Sequence, residues 1–342
     1  MTRTPPTDPP TTDPPPTDPP PTDPRLTDPD AAAHVARWLG ERRDWVPAPA
    51  AGVSEVRRRT RKQRLPDDAD VSTADVAVPA PGRSVPARWY EPADPTDVVV
   101  VFFHGGGWVI GDLEMNDAMA RSLARLSRAR VLSVDYRLAP EHPYPAALED
   151  GSATLDWVAG EHPAARLVLA GHSAGGNLAA VLTQRAAVST AGGAGPVVHA
   201  QVLLCPVLDC DLDRGSYADN GEGLLLTTRE MRWYWDLYQP DPDRRPDPSC
   251  SPLRAPDLHR LPPTLVVVAG ADPLRDEALA YADAVRAAGG TATVHLQPGV
   301  PHLYLTFPAM PCVAESLEVA ATAVRAVGTP EGQRSRRSSH NP

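Results

Sequence analysis

The chain has 342 residues, 42% of them hydrophobic, and a formal net charge of −10. That size and apolar content suit one large α/β domain or two small ones, and the acidic balance argues against nucleic acid or an anionic membrane as the main partner. Four cysteines (Cys205, Cys210, Cys250, Cys312), none in C-x-x-C spacing, and the lack of an H-E-x-x-H motif argue against a disulfide framework or a zinc site.

The N-terminus carries no apolar core of the signal-peptide kind, and no run approaches membrane-spanning length, so a cytoplasmic protein with reduced thiols is expected. Residues 1–29 form a proline-rich tract in which Thr-Asp-Pro recurs every five residues, from Thr7 to Thr27. Such a tract has too little apolar surface to offset chain entropy, which predicts disorder or polyproline II. Residues 328–342, with their Arg-Ser run, are expected to be a disordered tail.

From 30 to 64 the pattern is helical and amphipathic, with Val35, Trp38 and Leu39 on one face and Trp45 ahead of a Pro-Ala break. The basic stretch 57–64 reads as a solvated helix face. Alternating runs at 75–78 and 85–91 predict two paired edge strands. Val98–Phe103 is apolar throughout, as expected of a strand covered on both faces.

Further strands are predicted at 130–134, 167–170, 198–204, 265–269 and 291–296. Helices are predicted at 115–127, 146–158, 178–188, 275–288 and 314–327. Strands alternating with helices at this spacing imply a mostly parallel, doubly wound sheet with helices on both faces. Residues 224–239 interrupt the rhythm with Trp233, Tyr234, Trp235 and Tyr238 crowded together, and Thr228 is placed to cap a helix there. We read this stretch as a cap inserted between strands, with at least two of its aromatics serving ordinary core packing.

The sequence Gly171-His-Ser-Ala-Gly175 follows a predicted strand and precedes a predicted helix. That is the context of a nucleophile elbow, a strained turn that exposes Ser173 at the C-terminal edge of the sheet. Upstream, Val98–Phe103 runs into His104-Gly105-Gly106-Gly107-Trp108. Three consecutive glycines are costly to order and suit a loop whose N–H groups turn toward a ligand, as in an oxyanion hole completed by the N–H of Ala174. A phosphate loop is disfavoured, since no lysine follows and the glycine spacing is wrong.

Among ten histidines, position separates the candidates for a base. His104 is placed to order the glycine loop, His172 adjoins Ser173 and should point away from its side chain, and His295 lies inside a strand. His302 follows a strand through the loop 297–301 and is favoured. For the acid, Asp272 lies just beyond the strand 265–269, with Asp209 a second candidate. Asp276 and Glu277 fall in a first helical turn, where the helix dipole already accounts for them. The order Ser173, Asp272, His302 is that of α/β-hydrolases.

Together HGGGW (104–108), DYRLAPEHPYPAALED (135–150), GHSAGGNLAA (171–180), PVLD (206–209), SPLRAPDLHRLPP (251–263), DPLRDE (272–277) and PHLYLTF (301–307) give a chain that resembles the bacterial hormone-sensitive-lipase-like esterases of the α/β-hydrolase fold. The resemblance covers roughly 70–327. It implies an eight-stranded, mostly parallel sheet with a helical cap: cap helices at 30–68, a hydrolase domain at 69–327 and a cap insertion at about 210–245. It also implies Ser173 as nucleophile, His302 as base, Asp272 as its orienter, and an oxyanion hole from Gly106, Gly107 and Ala174 with Gly105 in the same loop.

The substrate pocket is expected to be lined by Trp108, Trp38, Trp233 and Leu303. His172 and Cys205 depart from the family pattern, which more often has an acidic residue and an aromatic there. The implied activity is hydrolysis of short- to medium-chain acyl esters through an acyl-enzyme. The alternatives are an amide hydrolase or deacetylase of a secondary metabolite, a non-hydrolytic cyclase or ligand-binding member, and a scaffold recruited through the proline-rich arm. No metal or organic cofactor is expected. The expected partner is a small acyl ester, without nucleic acid or membrane, and a homodimer is an admissible assembly.

Overall fold

The computed structural model describes residues 23–41, 52–60 and 69–328. Its frame is one eight-stranded sheet: β1 (Val71–Ala80), β2 (Arg83–Pro92), β3 (Val98–Phe103), β4 (Arg130–Val134), β5 (Arg166–His172), β6 (Val198–Leu204), β7 (Thr264–Ala271) and β8 (Ala292–Pro301), in the order β1-β2-β4-β3-β5-β6-β7-β8. The first two pairings, β1 with β2 and β2 with β4, are antiparallel, and all the rest are parallel.

Alternation of side chains along each strand divides the core in two. In β3, Val99, Val101 and Phe103 enter one core, and Val98, Val100 and Phe102 enter the other. The first core is covered by α4 (Ala146–Glu161), α5 (Ala174–Ala191) and α8 (Arg275–Ala287). The second is covered by α3 (Asp117–Ser127) and α9 (Pro311–Gly328). Continuous apolar runs in the central strands follow from this double cover. β8 is the far edge and is only partly covered over its first seven residues, becoming fully buried at Gly299–Pro301, next to His302.

The remaining helices gather over the C-terminal ends of the parallel strands. They are α1 (Pro29–Glu41), α2 (Val53–Thr60), and α6 (Gly215–Asn220) with α7 (Thr228–Tyr238) between β6 and β7. Val35 of α1 and Leu26 ahead of it are buried with Leu224, Leu225 and Ala271. Residues 23–29, expected to share the disorder of the proline-rich tract, are therefore packed, and Asp28 caps α1 by accepting from the N–H groups of Asp30 and Ala31 at 2.9 Å. A single leucine supplies the apolar surface that the upstream repeats lack. Trp45 and residues 61–64 lie outside the described residues, as do 1–22 and 329–342.

Two local expectations shift. The cap of α7 is Thr227, one residue before the expected Thr228: its hydroxyl accepts from the Glu230 N–H, while the Glu230 carboxylate accepts from the Thr227 N–H. The arrangement is a capping box, which Glu230 marks in the sequence by its spacing of three. Arg57, expected on a solvated face, donates to the carbonyls of Val109 and Ala139 at 2.8 Å and pairs with Glu141, fastening α2 to the segment after the glycine loop. Among the described residues no helix is long and apolar enough to cross a membrane.

Asp135, at the end of β4, sits half-buried near Asp112 and Glu114, and burial together with those charges pushes its carboxyl up to about 6 from an ordinary 3.8. The folded chain then holds a proton that the unfolded chain releases, so stability falls as pH rises between those two values. Asp135→Asn is expected to stabilise the fold at pH 7 by roughly 1–2 kcal/mol, with no gain below pH 4. Urea unfolding of both proteins at the two pH values checks this, and parallel stability curves would refute it.

Candidate active site

The four segments singled out in the sequence leave parallel strands at the same edge of the sheet. β3 delivers His104 and the glycines, β5 delivers Ser173, β7 delivers Asp272 and β8 delivers His302. Residues 297–301, expected as a loop, continue β8 instead, so His302 is presented directly from a strand end.

Ser173 has φ 55° and ψ −118°, the strained geometry expected of an elbow. Its N–H donates to the Leu204 carbonyl at 2.8 Å, and its own carbonyl accepts from Asn177 and Val207, both at 3.2 Å. The flanking glycines are required by contact: a Cβ at Gly171 would collide with the Gly175 carbonyl, and one at Gly175 with the carbonyls of Phe103 and His104. The elbow can close only with bare backbone at both positions. Helix α5 consequently starts at Ala174, four residues before the expected 178.

His302 Nε2 lies 2.9 Å from Ser173 Oγ, and His302 Nδ1 lies 2.7 Å from Asp272 Oδ2. A carboxylate only accepts, so Nδ1 carries the proton and Nε2 offers its lone pair to the serine hydroxyl. Asp272 Oδ1 accepts from the Leu274 N–H at 2.9 Å, which fixes the carboxylate plane. All three side chains are nearly closed to solvent, with Ser173 the most open at 6%.

The glycine loop abuts the serine, since a Cβ on Gly105 would touch Ser173 Cβ at 3.4 Å. Gly106 (φ 119°) and Gly107 (φ 59°) adopt backbone that favours glycine, and the Gly106 carbonyl turns away to accept from Val109 and Ile110. Among the described residues, the N–H groups of Gly106, Gly107 and Ala174 donate to no other group. His104 stacks on Tyr136 with ring centroids 4.2 Å apart, and its Nδ1 sits 2.8 Å from the Gly105 carbonyl. Burial lowers its pKa to about 4, so this imidazole orders the loop as a neutral group.

The other candidates separate as follows. His295 pairs with Ser316 at 3.2 Å, joining β8 to α9 away from the serine. Asp209 is held by Arg254 at 2.6 Å and Arg214 at 2.5 Å; burial opposes its charge, but the two arginines keep its carboxyl below the usual range. His172 does not simply turn away. Its ring lies nearly parallel to that of His302, centroids 5.7 Å apart, and its Nδ1 backs onto Gly105.

Of the expected pocket residues, Trp108 is fully buried and stacked on Tyr238 at 4.2 Å, while Trp233 is half-buried beside Tyr234. Leu303 is partly buried against the small cluster that includes Leu26 and Leu224. Trp38 is on α1, and its side chain lies outside the described residues. The ring of Tyr234 occupies the space that a Gly107 side chain would need, so α7 roofs the glycine loop.

Three further residues at the site were given no part in it from the sequence. Asn177 donates to the carbonyls of Val207 and Cys250, clamping the elbow helix to two loops. Glu277, accounted for above by the helix dipole alone, is buried; it accepts from the Leu208 N–H at 2.7 Å, and burial pushes its carboxyl well above the usual range. Its place on the same helical face as Ala278, Tyr281 and Val285 was the available signal. Cys205 is buried beside Asp272 and His302, and burial, helped by the Asp272 charge, pushes its thiol well above the usual range.

Residues 100–306 match the family described by the α/β-hydrolase fold. The chain is 43% identical over 244 residues to the carboxylic ester hydrolase LipN of Mycobacterium tuberculosis, a match covering 69% of this chain and 65% of LipN, just under two thirds of that protein. It is 38% identical over 295 residues to the esterase LipI of the same organism, covering 81% of this chain and 89% of LipI. Among solved structures it is similar to EstE1, a thermostable carboxylesterase from a metagenomic library. The TM-score is 0.75 at 36% identity, covering 82% of this chain and 99% of that one. With its motifs on the strand ends where that architecture carries them, the chain belongs to the α/β-hydrolase family, in its hormone-sensitive-lipase-like esterase branch.

Proposed function

We propose that the protein is a serine carboxylic-ester hydrolase acting on short- to medium-chain acyl esters. The observation that carries this reading is the unbroken hydrogen-bond chain from Ser173 through His302 to Asp272, beside backbone N–H groups with no partner among the described residues. His302 Nε2 takes the serine proton as Oγ attacks the ester carbonyl. Asp272 keeps the tautomer and stabilises the imidazolium. Gly106, Gly107 and Ala174 donate to the oxyanion, with Gly105 holding the loop against the serine. His302 returns the proton to the leaving alcohol, and water then releases the acid from the acyl-enzyme by the same steps.

The aromatic roof of α7 supports the chain-length preference, because Tyr234, Trp235 and Tyr238 fill space above the glycine loop that a long acyl chain would need. In this reading α1 and α2, the described parts of the cap helices expected at 30–68, form the cap with the insertion at about 210–245, and the enzyme works in the cytoplasm on a small ester. The test is a p-nitrophenyl ester series. Acetate to octanoate should be turned over and palmitate poorly, with a fluorophosphonate adduct on Ser173. Rates that climb steadily to long-chain triglycerides, or an adduct on another residue, would overturn it.

A further inference from the structure

Cys205, at the end of β6, takes no part in the proposed ester chemistry, yet its sulfur, one Asp272 carboxylate oxygen and one His302 ring nitrogen all lie within 4.8 Å of one another. The backbone holds the thiol there: Cys205 has φ 44°, and its N–H donates to the Val267 carbonyl at 2.8 Å. All three residues are buried, so they form an interior cluster and not a surface one.

We propose that Cys205, Asp272 and His302 form an inhibitory site for a soft divalent cation of the zinc and cadmium class. Thiolate, imidazole and carboxylate are the donor set such ions take. His302 Nδ1 and Asp272 Oδ2 are 2.7 Å apart, and the sulfur lies within 4.8 Å of a donor atom on each of those residues, a spacing from which side-chain adjustment can reach the roughly 2.0–2.3 Å bonds of zinc. A tetrahedral zinc keeps such donors roughly 3.3–3.6 Å apart, so Asp272 Oδ2 must draw back from His302 Nδ1 by about half an ångström as the sulfur closes in, which leaves a fourth position for water.

Binding is balanced in protons. The Cys205 thiol gives its proton to solvent as the metal–sulfur bond forms. The imidazole proton leaves Nδ1, which now binds the metal, and returns on Nε2, so the ring stays neutral. Nε2 then faces Ser173 as a donor and cannot accept the serine proton. Inhibition therefore rests on the proposed role of His302, whereas the binding itself does not.

Two measurements on the purified full-length chain separate those claims. Cadmium titrated into the Ser173→Ala protein should produce a thiolate–metal charge-transfer absorption with one ion per chain. The band should vanish in Ser173→Ala/Cys205→Ala and persist in Ser173→Ala/Cys210→Ala. Zinc should inhibit p-nitrophenyl butyrate hydrolysis slowly, reversibly with EDTA, and magnesium should not. In Cys205→Ala, measured against its own metal-free rate, the inhibiting zinc concentration should rise by at least roughly tenfold, the low end of what even outer-shell changes cost a metal site. If Cys205→Ala does not fold, Cys205→Ser keeps the size of the side chain and replaces the soft donor. A cadmium band that survives loss of Cys205, or zinc inhibition equal in the Cys205 variants and the parent, would overturn the site. A band without inhibition would leave the cation site standing and count against the role given to His302.

Discussion

Replacing Ser173 by alanine is expected to lower kcat for p-nitrophenyl butyrate by about 10⁶-fold, the scale of loss when a serine nucleophile is removed from a triad acting as a unit. In the proposed mechanism the side chain supplies the attacking oxygen, and among the described residues its hydrogen-bond partner is His302 at 2.9 Å. The backbone of residue 173 keeps its bonds to Leu204, Asn177 and Val207 in the variant. Alanine tolerates φ 55° no worse than serine does, so the melting temperature should stay close to that of the parent. Fluorophosphonate labelling should disappear with the activity. A folded Ser173→Ala protein that keeps even a tenth of the parent rate would sink the assignment of the nucleophile.

Asp272→Asn is expected to cost about 10⁴-fold in kcat, the effect of the same change in a serine protease triad, with KM little altered. Asparagine can keep its oxygen on the Leu274 N–H, where Asp272 Oδ1 now accepts at 2.9 Å. Its amide nitrogen then occupies the place of Oδ2 and donates toward His302 Nδ1. The imidazole must answer as an acceptor on that side, so its proton moves to Nε2 and faces Ser173. Geometry is retained while the tautomer is wrong, which distinguishes this variant from a misfolded one. Steady-state kinetics with a thermal melt checks it. A loss of only a few fold would show that the carboxylate does not orient the base.

Much of the architecture was legible because its signals are local. Val98–Phe103 announces a strand covered on both faces by being apolar throughout, and Gly171 and Gly175 announce the elbow because only bare backbone can close it. His302 could be chosen over His104, His172 and His295 from its place after a strand, and the structure puts it against Ser173 and Asp272. Other features escaped because they depend on which distant segment lies opposite. Arg57 reads as one more arginine in a basic run until Val109 and Ala139 are found beneath it. Glu277 reads as a helix-dipole carboxylate until the Leu208 N–H is found against it.

The sequence by itself determined the succession of strands and helices, the turn that presents Ser173 and the glycine backbone beside it. Each is set by side-chain periodicity and by steric limits reaching only a few residues along the chain. Tertiary structure alone decided the strand order that brings the ends of β5, β7 and β8 together at one edge, that Cys205 lies within reach of the same imidazole, and that α7 roofs the glycine loop. Those distances follow from strand order and helix packing, which arise from apolar contacts between segments as far apart in the chain as Leu26 and Ala271 and leave no mark on any one of them.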